Sequence, residues 1–419
     1  MKILWLSHIL PFPPIGGVLQ RSHNLLVELS KHHEVDLVSF VQRQPIVTHF
    51  KSYEEGLQKA REILLQHCGK VEWLPIRSDW KRWGKQRLAL QSLFSQNGYT
   101  IEWLADPAML NLLNSLDGDY EVIHFDTISL AQYAPLLNGL KVLNHHNIES
   151  QMMLRRAERE SNPALKLYYF QEGKKLRRYE TRTADWFSLH LTCSELDGQR
   201  LVEIAPGTPF REVPNGVSPE FMNTDFVGSG SPSHLLFAGR FSAYANQAAA
   251  RKITDEIWPA VRDKMGGAHL TLAGSGPGPY LTRYGDENAD VTVTGFVEDI
   301  KPFFQEAGIF ICPIDDGGGT RLKVLDAMAM GTPVVAHPVA CEGLPIVDQQ
   351  HALLARTTGD FVSAIFKLVE DDQLRLRLAR AARELVEKQF SYPEIGKTYA
   401  ETLTNLRISA TTDTRRRGC

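Results

Sequence analysis

The residues best suited to hold an anion lie in one continuous stretch, residues 315–326, where a triple glycine leads into a helical pattern. Glycines let the backbone approach a ligand closely, and the free N–H groups of a helix start favour negative charge. Arg321 and Lys323 add two cations, and Asp326 falls on the same helix face as Lys323. A carboxylate there could accept hydrogen bonds from both hydroxyls of a ribose. The stretch predicts a nucleoside-phosphate site; the alternative is a flexible loop with a solvated acid.

Two other glycine loops carry a nearby arginine. Gly239 and Arg240 follow a predicted strand, where a guanidinium is well placed to meet a diphosphate; a surface ion pair is the less favoured alternative. Gly16 and Gly17 precede the first predicted helix, which carries Arg21. This second loop resembles a phosphate loop, but an ordinary turn before a helix explains it equally well. Both loops are therefore weaker predictions than the triple glycine.

His146 ends a predicted strand in the first half of the chain, where it could bond a sugar hydroxyl or the reacting centre; a structural histidine is the alternative. The glycines at 274–278 lack the dinucleotide spacing, and no P-loop, serine elbow or H-x-x-x-H metal pair is present. No metal ligand is therefore predicted, and Asp315 and Asp316 are interpreted as a loop feature.

The loops are separated by short apolar runs, which predict strands buried in parallel sheets. The runs alternate with helical patterns in two series, so we predict an α/β fold of two doubly wound, Rossmann-like domains with ligands at the carboxyl ends of the strands. The domains are predicted at 1–213 and 214–391, followed by a C-terminal helix at 392–410 that packs back on the first domain and a disordered tail at 411–419. The predicted strands are 3–6, 34–40, 122–125, 141–144, 235–238, 270–273, 291–294, 309–314 and 333–336.

Composition excludes several classes of protein. The 419 residues exceed one average domain, and the net charge of −3 gives no reason to expect a nucleic-acid partner. Five cysteines without C-x-x-C spacing argue against a disulfide framework or a structural zinc, which favours a reducing cytoplasm. No stretch approaches the roughly 18 apolar residues of a spanning helix. We therefore expect a cytoplasmic protein, with peripheral contact at the inner face of the membrane left open.

With its loops in this order, the chain resembles glycosyltransferase family 4, a retaining, metal-independent family of the GT-B fold, whose two Rossmann-like domains face each other across a cleft. A subgroup of that family with a Gly-Gly-Gly-Thr-Arg-Leu-Lys loop is similar. The resemblance spans nearly the whole chain and rests on the joint order of the segments 16–17, 194–197, 213–217, 237–240, 293–299 and 323–335.

This resemblance implies a hexosyltransferase acting on a nucleotide-diphosphate sugar, with UDP-sugars favoured over GDP-sugars and with no cofactor and no metal. The implied acceptor is a glycan, a lipid-linked acceptor or a small molecule, and the implied process is polysaccharide or glycoconjugate biosynthesis. Arg240 and Lys323 would neutralise the diphosphate and His146 would lie near the transferred sugar, which makes these three the implied catalytic residues. The implied donor-binding residues are Gly16, Gly17, Gly239, Gly295, Val297, Gly318, Gly319, Thr320 and Asp326.

The chain departs from the family pattern in three places. The frequent Glu-x7-Glu pair is replaced by Gly318 and Asp326, so a contact with a sugar hydroxyl must come from elsewhere. The usual lysine after Gly239-Arg240 is missing; Asn246 lies near its place, and Lys323 is a candidate to compensate. These departures affect the identity of the donor sugar more than the fold.

The acceptor is less well defined by the sequence. Residues 80–94 mix basic, aromatic and leucine side chains, which is typical both of contact with an anionic membrane and of a solvated helix packed on the first domain. Two other functions stay open: a non-catalytic homologue that binds a nucleotide sugar or a partner glycosyltransferase, and a nucleotide-sugar epimerase, for which no acid–base pair is visible. A dehydrogenase is disfavoured, and the oligomeric state is left open.

Overall fold

The protein divides into two compact units in a computed structural model that describes residues 1–116, 118–222, 228, 230–316 and 321–417, with side chains up to residue 412. The first unit comprises Met1–Pro214 and Tyr392–Cys419, and the second comprises Asn215–Ser391. The first division lies one residue after the predicted boundary at 213, and the second coincides with the predicted boundary at 391.

The described residues of the first unit build a parallel sheet of seven strands in the order β3-β2-β1-β4-β5-β6-β7. Successive side chains of a strand point to opposite faces, so Ile3 and Trp5 belong to one hydrophobic cluster, while Leu4 and Leu6 belong to another on the other face. Both faces are therefore covered, as the near-continuous apolar runs predicted. The strands are β1 Lys2–Ser7, β2 Glu34–Val41, β3 Val71–Pro75, β4 Val122–Phe125, β5 Leu140–His145, β6 Leu189–Thr192 and β7 Phe210–Glu212.

Helices lie between these strands. The longest pair, α7 and α8, forms a hairpin between β5 and β6. The helices of this part of the chain are α1 Gly17–Ser30, α2 Arg43–His49, α3 Tyr53–Leu64, α4 Gly84–Ser92, α5 Tyr99–Glu102, α6 Pro107–Asn114, α7 Glu149–Arg159, α8 Pro163–Thr183 and α9 Glu195–Ile204. Short 3-10 helices occur at Arg77–Asp79, Ile128–Leu136 and Ala184–Trp186.

The described residues of the second unit build a six-stranded parallel sheet in the order β10-β9-β8-β11-β12-β13. Its strands are β8 Ser231–Ala238, β9 His269–Ala273, β10 Val291–Val293, β11 Ala307–Cys312, β12 Val334–Ala336 and β13 Leu353–Leu354. Its helices are α10 Pro219–Met222, α11 Tyr244–Lys252, α12 Trp258–Arg262, α13 Gly278–Glu287, α14 Lys301–Glu306, α15 Leu322–Ala329, α16 Thr358–Glu370 and α17 Asp372–Gln389. A 3-10 helix occurs at Pro338–Cys341.

The last helix, α18 Tyr392–Arg417, returns the chain to the first unit. Tyr399 is fully buried there, and its hydroxyl lies 2.6 Å from Nδ1 of His124 on β4. The backbone of Gly396 lies so close to Glu28 of α1 that a β-carbon would collide with it. The helix extends to Arg417, past residue 411, where the sequence predicts the start of a disordered tail.

Two other predictions need correction. The pattern of residues 246–262 predicts a single helix, but a π-helical turn at Ile253–Ile257 interrupts it. The turn ends two residues before Pro259, whose ring nitrogen cannot donate a helical hydrogen bond. The stretch 207–233 is rich in proline, glycine, serine and asparagine, which predicts a linker, but it contains β7, α10 and the first residues of β8. Turn-forming residues dominate its composition, but the backbone still completes both sheets.

Candidate functional site

The second unit places one of its loops directly after β8. The N–H of Gly239 donates to the carbonyl of Ala273 at 2.9 Å, which holds the ends of β8 and β9 together. Gly239 has a φ of 155°, which is unfavourable for other residues, and a β-carbon there would collide with the ammonium of Lys323. Glycine is therefore favoured at this position by its backbone conformation, and its missing side chain leaves room for the ammonium of Lys323.

Lys323 lies at the start of α15 and reaches back to that loop. Its Nζ donates to Oδ1 of Asn246 at 2.6 Å, and Nδ2 of Asn246 donates to the carbonyl of Arg240 at 2.8 Å. The ammonium also lies 4.6 Å from the ring centroid of Phe237, a favourable cation–π distance. Burial lowers the pKa of Lys323 to about 8. The ammonium is thus held at a strand end with little water around it.

Asp326 lies one turn further along α15. Burial raises the pKa of its carboxyl to about 7, and the charge of Glu220 adds to the rise while that of Lys323 opposes it. Oδ1 of Asp326 is inaccessible to solvent and has no hydrogen-bond partner among the described residues. A buried polar atom of this kind is costly unless a ligand satisfies it. A pair of ligand hydroxyls would do so.

The other donor-binding residues predicted in the second unit follow the ends of strands in its sheet or lie outside the described residues. Arg240 directs an exposed side chain from the same loop, without an ion pair to any described residue. Gly295 has a φ of 68° after β10, with open space around it, and Val297 is half-buried two residues later. The predicted residues Gly318, Gly319 and Thr320 lie outside the described part of the chain.

In the first unit, the loop before α1 has an exposed backbone. Gly16 has a φ of 87° and occupies the N-cap position of α1, and Gly17 is exposed as the first residue of the helix. Arg21 is not available to an anion, because it is 1% exposed and donates to Oδ1 of Asn144 at 3.0 Å and to the carbonyl of Pro214 at 2.8 Å. The prediction that Arg21 supports a phosphate loop is therefore wrong.

His146 belongs to a buried polar network centred on Asp126. Its Nε2 lies 3.2 Å from Oδ1 of Asp126, and Nδ1 of His8 lies 3.4 Å from Oδ2. The hydroxyls of Ser7 and Ser22 donate to Oδ2 at 3.1 and 2.8 Å. The fully buried carboxylate is therefore surrounded by donors.

The charges of this network depend on one another. Burial alone would raise the pKa of Asp126, but the charge of His146 and the neighbouring imidazoles of His124 and His8 outweigh it and hold that pKa well below its ordinary value. Burial lowers the pKa of His146, and Asp126 opposes the fall only in part. A permanently ionised Asp126 thus fixes the orientation of an imidazole that stays neutral near pH 7.

Sequence reasoning missed Asp126 and His8. Each directly follows a buried strand, β4 for Asp126 and β1 for His8, and these two strands are neighbours in the sheet. The sequence shows a polar residue at the end of each of these strands. It does not show that the two strands are neighbours in the sheet, and only that arrangement brings the two side chains together.

His8, Asp126 and His146 are also able in principle to bind a metal, since one ligand atom of each lies within 4.8 Å of the others. The carboxylate oxygens, however, already accept hydrogen bonds from Ser7 and Ser22 and from the amide of Asn144 at 3.2 Å. These donors would have to give up their acceptor before a cation could bind. We therefore interpret the network as a hydrogen-bonding arrangement.

A cavity of about 370 Å³ lies within the first unit and is bordered by His8 and His146. Burial, with the charge of Glu180, raises the pKa of Glu149 in its wall to about 7. The guanidinium of Arg156 lies 4.2 Å from the ring centroid of Tyr169, a second wall residue. Aromatic faces combined with hydrogen-bonding groups suit a sugar or another polyhydroxylated compound. Other wall residues are Tyr99, Trp103 and Tyr168.

Comparison with protein families bears on the second unit. Residues 232–371 match the family model described as glycosyl transferases group 1. The matched segment contains the loop after β8, Asn246, Lys323 and Asp326. A phosphatidyl-myo-inositol mannosyltransferase of Mycobacterium leprae is 25% identical over 192 residues, which cover 44% of this chain and half the length of that relative.

Solved structures resemble the chain over almost its whole length. Sucrose-phosphate synthase of Thermosynechococcus elongatus gives a TM-score of 0.68 at 16% identity, over 98% of this chain and 100% of that one. HepE of Anabaena, in complex with UDP and glucose, gives a TM-score of 0.64 at 16% identity, over 97% of this chain and 100% of that one. A mutant of TarM from S. aureus, in complex with ligands that include UDP, gives a TM-score of 0.66 at 12% identity, over 97% of this chain and 99% of that one.

These likenesses show the fold: an α/β protein of two Rossmann-like, parallel-sheet domains, as in the GT-B glycosyltransferases. The family match on the second unit supports a glycosyltransferase. No helix of the described residues is both long and apolar enough to cross a membrane.

Proposed function

We propose that the protein is a retaining, metal-independent glycosyltransferase that moves a hexosyl group from a nucleotide-diphosphate sugar to an acceptor hydroxyl. The observation that carries the proposal is the ammonium of Lys323, held beside Gly239 by Asn246 within the segment that matches the glycosyl transferases. A half-buried cation fixed at the carboxyl end of a central strand suits a bound phosphate.

In this proposal the donor diphosphate lies between Lys323 and Arg240. Arg240 is free to turn towards a ligand, since its side chain is exposed. Lys323 is already fixed, so it loses little conformational freedom when the phosphate binds. The carboxylate of Asp326 accepts the two ribose hydroxyls, which would satisfy its unpartnered oxygen.

Cleavage of the donor breaks the bond between the anomeric carbon and the phosphate oxygen. The electron pair stays on the nucleoside diphosphate, and the cations of Lys323 and Arg240 stabilise the growing charge. The acceptor oxygen forms its bond to the anomeric carbon on the same face, and its proton passes to a leaving phosphate oxygen. No strong protein base and no metal is needed for this sequence. Full transfer activity in EDTA would support this step, and restoration of a lost activity by a divalent cation would contradict it.

The acceptor is proposed to bind in the cavity of the first unit beside His146. Its aromatic wall and its hydrogen-bonding groups fit a sugar or inositol ring. A glycan and a lipid-linked acceptor are both compatible with such a ring, and one relative of the chain is named for transfer to phosphatidyl-myo-inositol. His146 would bond a hydroxyl of the transferred sugar or of the acceptor, in the orientation that Asp126 imposes.

Nucleotide preference is the first test. UDP is expected to stabilise the protein more than GDP, ADP or CDP, since ligand that binds only the folded state raises its stability. At a hundredfold excess over its dissociation constant, UDP should raise the unfolding midpoint by roughly 5–10 °C. Thermal-shift measurements in EDTA check this expectation. A larger increase in the unfolding midpoint with GDP would indicate that the donor is a GDP-sugar. If no nucleoside diphosphate raises the midpoint, the proposed function is wrong.

The affinity for UDP is expected to depend on pH with a maximum between about 7 and 8. The pKa of Asp326 is about 7, so its carboxyl takes up a proton below that pH and can no longer accept two hydrogen bonds as an anion. The pKa of Lys323 is about 8, so its cation is lost above that pH. Affinity should therefore fall by up to about tenfold per pH unit on each side.

Titration calorimetry across pH 6–9 checks this profile, with Asp326→Asn as the matched variant. The amide cannot titrate, so the acidic limb should disappear while the alkaline limb stays. An unchanged acidic limb in Asp326→Asn would show that another group causes it.

A further inference from the structure

One face of the first unit carries large apolar side chains that nothing covers. On α4 and the turn after it, Trp83, Leu90 and Phe94 are 64%, 64% and 91% exposed. Trp83 is the N-cap residue of α4, Leu90 lies on the helix, and Phe94 lies in the turn that follows it. Together with the exposed Arg87, they give the segment 83–94 an exposed surface of apolar and basic side chains.

The same character continues on α8. Leu167 is 66% exposed and Phe170 is 49% exposed, and the exposed cations Lys174 and Arg177 follow at helical spacing on the same side. The two helices are neighbours: Nζ of Lys175 donates to the carbonyls of Ser92 and Leu93 at 2.7 and 2.9 Å. Trp83, Arg87, Leu90, Phe94, Leu167, Phe170, Lys174 and Arg177 are together called the α4–α8 face.

The charge of this face has one sign. Residues 80–94 contain four cations and no acidic residue. On α8 the two acidic residues, Glu172 and Glu180, are 5% and 2% exposed, so the charges that reach solvent are positive. The whole chain has a net charge of −3, so the charge of this face is opposite in sign to that of the chain as a whole. A partner for this face must be negatively charged.

We propose that the α4–α8 face binds an anionic lipid bilayer, with its leucine and aromatic side chains in the acyl boundary and its cations at the phosphate headgroups. Lysine and arginine attract an anionic leaflet, and helices of this composition lie in the interfacial plane. Leucine side chains distinguish a bilayer from a nucleic acid, which offers aromatic rings a base to stack on but offers leucine nothing comparable.

This proposal goes beyond the proposed function and does not depend on it, but the two would fit together. The cavity of the first unit is lined by Tyr168 and Tyr169 of α8, next in sequence to Phe170 of the α4–α8 face. A bilayer on this face would bring the headgroup region close to that cavity. A headgroup ring could then reach the cavity while its lipid stays in the bilayer.

The test is co-sedimentation of the full-length protein with vesicles of phosphatidylcholine alone or with about a third of phosphatidylglycerol. We expect binding to the anionic vesicles at low salt, little binding to the neutral ones, and release at high salt, where electrostatic attraction is screened. Equal binding to both kinds of vesicle, or none to either, would overturn the proposal. Binding to RNA without binding to vesicles would also overturn it, because the partner would then be another polyanion.

Variants locate the contact. Leu90→Ser, Phe94→Ser and Leu167→Ser combined should lower the vesicle-bound fraction about tenfold or more, since these side chains supply the apolar contact. The matched control is Ile408→Ser, whose side chain is 58% exposed on α18; it should bind as the unaltered protein does. If the vesicle-bound fraction of the control is lowered as much as that of the triple variant, the α4–α8 face is not the contact. The same conclusion holds if the vesicle-bound fraction of the triple variant is unchanged.

UDP affinity measured on the same samples separates this proposal from the proposed function. The exposed positions of the triple variant lie outside the proposed donor site, so the variant should bind UDP normally. Loss of vesicle binding with normal UDP affinity therefore reports on the α4–α8 face alone. An unaltered protein that binds vesicles but no nucleotide would support the membrane contact and refute the glycosyltransferase.

Discussion

Lys323→Ala is expected to lower the transfer rate by about 10²–10³-fold, the effect typical of removing one fixed group that stabilises a charge developing in the transition state. The loss arises because Nζ of Lys323 is already positioned, 2.6 Å from Asn246, before the donor arrives. Burial that lowers its pKa to about 8 also removes the water that would otherwise screen its charge. The rate is measured with saturating donor and a soluble acceptor.

Lys323→Met separates charge from packing. Methionine keeps most of the apolar stem over Phe237 but removes the cation, so it should lose nearly as much activity as alanine. Lys264→Ala is the matched control, because Lys264 is an exposed lysine of the same unit. Both variants at position 323 should unfold within a few degrees of the unaltered protein. A folded Lys323→Met protein with unaltered turnover would remove Lys323 from the mechanism.

Asp126→Ala is expected to destabilise the first unit by about 3–5 kcal/mol, since it takes the acceptor from several buried donors at once. The hydroxyls of Ser7 and Ser22 would lose their bonds to Oδ2, and the imidazole of His146 would lose its partner at 3.2 Å. The unfolding midpoint should fall by on the order of 10 °C. Thermal unfolding followed by circular dichroism measures the fall.

Asp126→Asn distinguishes the charge of this residue from its shape. The amide fills the same space but offers a donor to a site that already holds donors, so it should recover little of the lost stability. Asp263→Ala is the control, because its side chain is 73% exposed. If Asp126→Asn were as stable as the unaltered protein, the ionised carboxylate would not be what organises the network.

The sequence predicted the sheets well where strands are buried on both sides. The strand at 122–125 coincides with β4, and the strand at 235–238 coincides with the buried end of β8. Such runs are apolar throughout and end at glycine or polar residues, so length and composition identify them. Four strands were missed. The outer strands β3, β7 and β13 are only two to five residues long, and the interior strand β6 is interrupted by His190 although all four of its residues are buried.

The candidate site was predictable only where its residues are close in sequence or belong to a known pattern. Gly239 and Lys323 were identified from the glycine loops that contain them, and the family resemblance suggested that Lys323 compensates for the lysine missing after Arg240. Arg21 and Asp126 show which residues could not be assigned from the sequence. Whether a polar side chain faces solvent or a buried partner depends on which strands are neighbours, and spacing along the chain does not contain that information.

The proposed function requires that the second unit binds a pyrophosphate through Lys323 and Arg240. Calorimetric titration of UDP into the full-length protein at pH 7.5 in EDTA tests this most directly, with Lys323→Met, Arg240→Ala and Lys264→Ala beside the unaltered protein. We predict one UDP per chain, affinity lowered at least about tenfold in each of the first two variants, and no change in Lys264→Ala. Unaltered affinity in both Lys323→Met and Arg240→Ala, or UDP binding only when a divalent cation is added, would contradict the account.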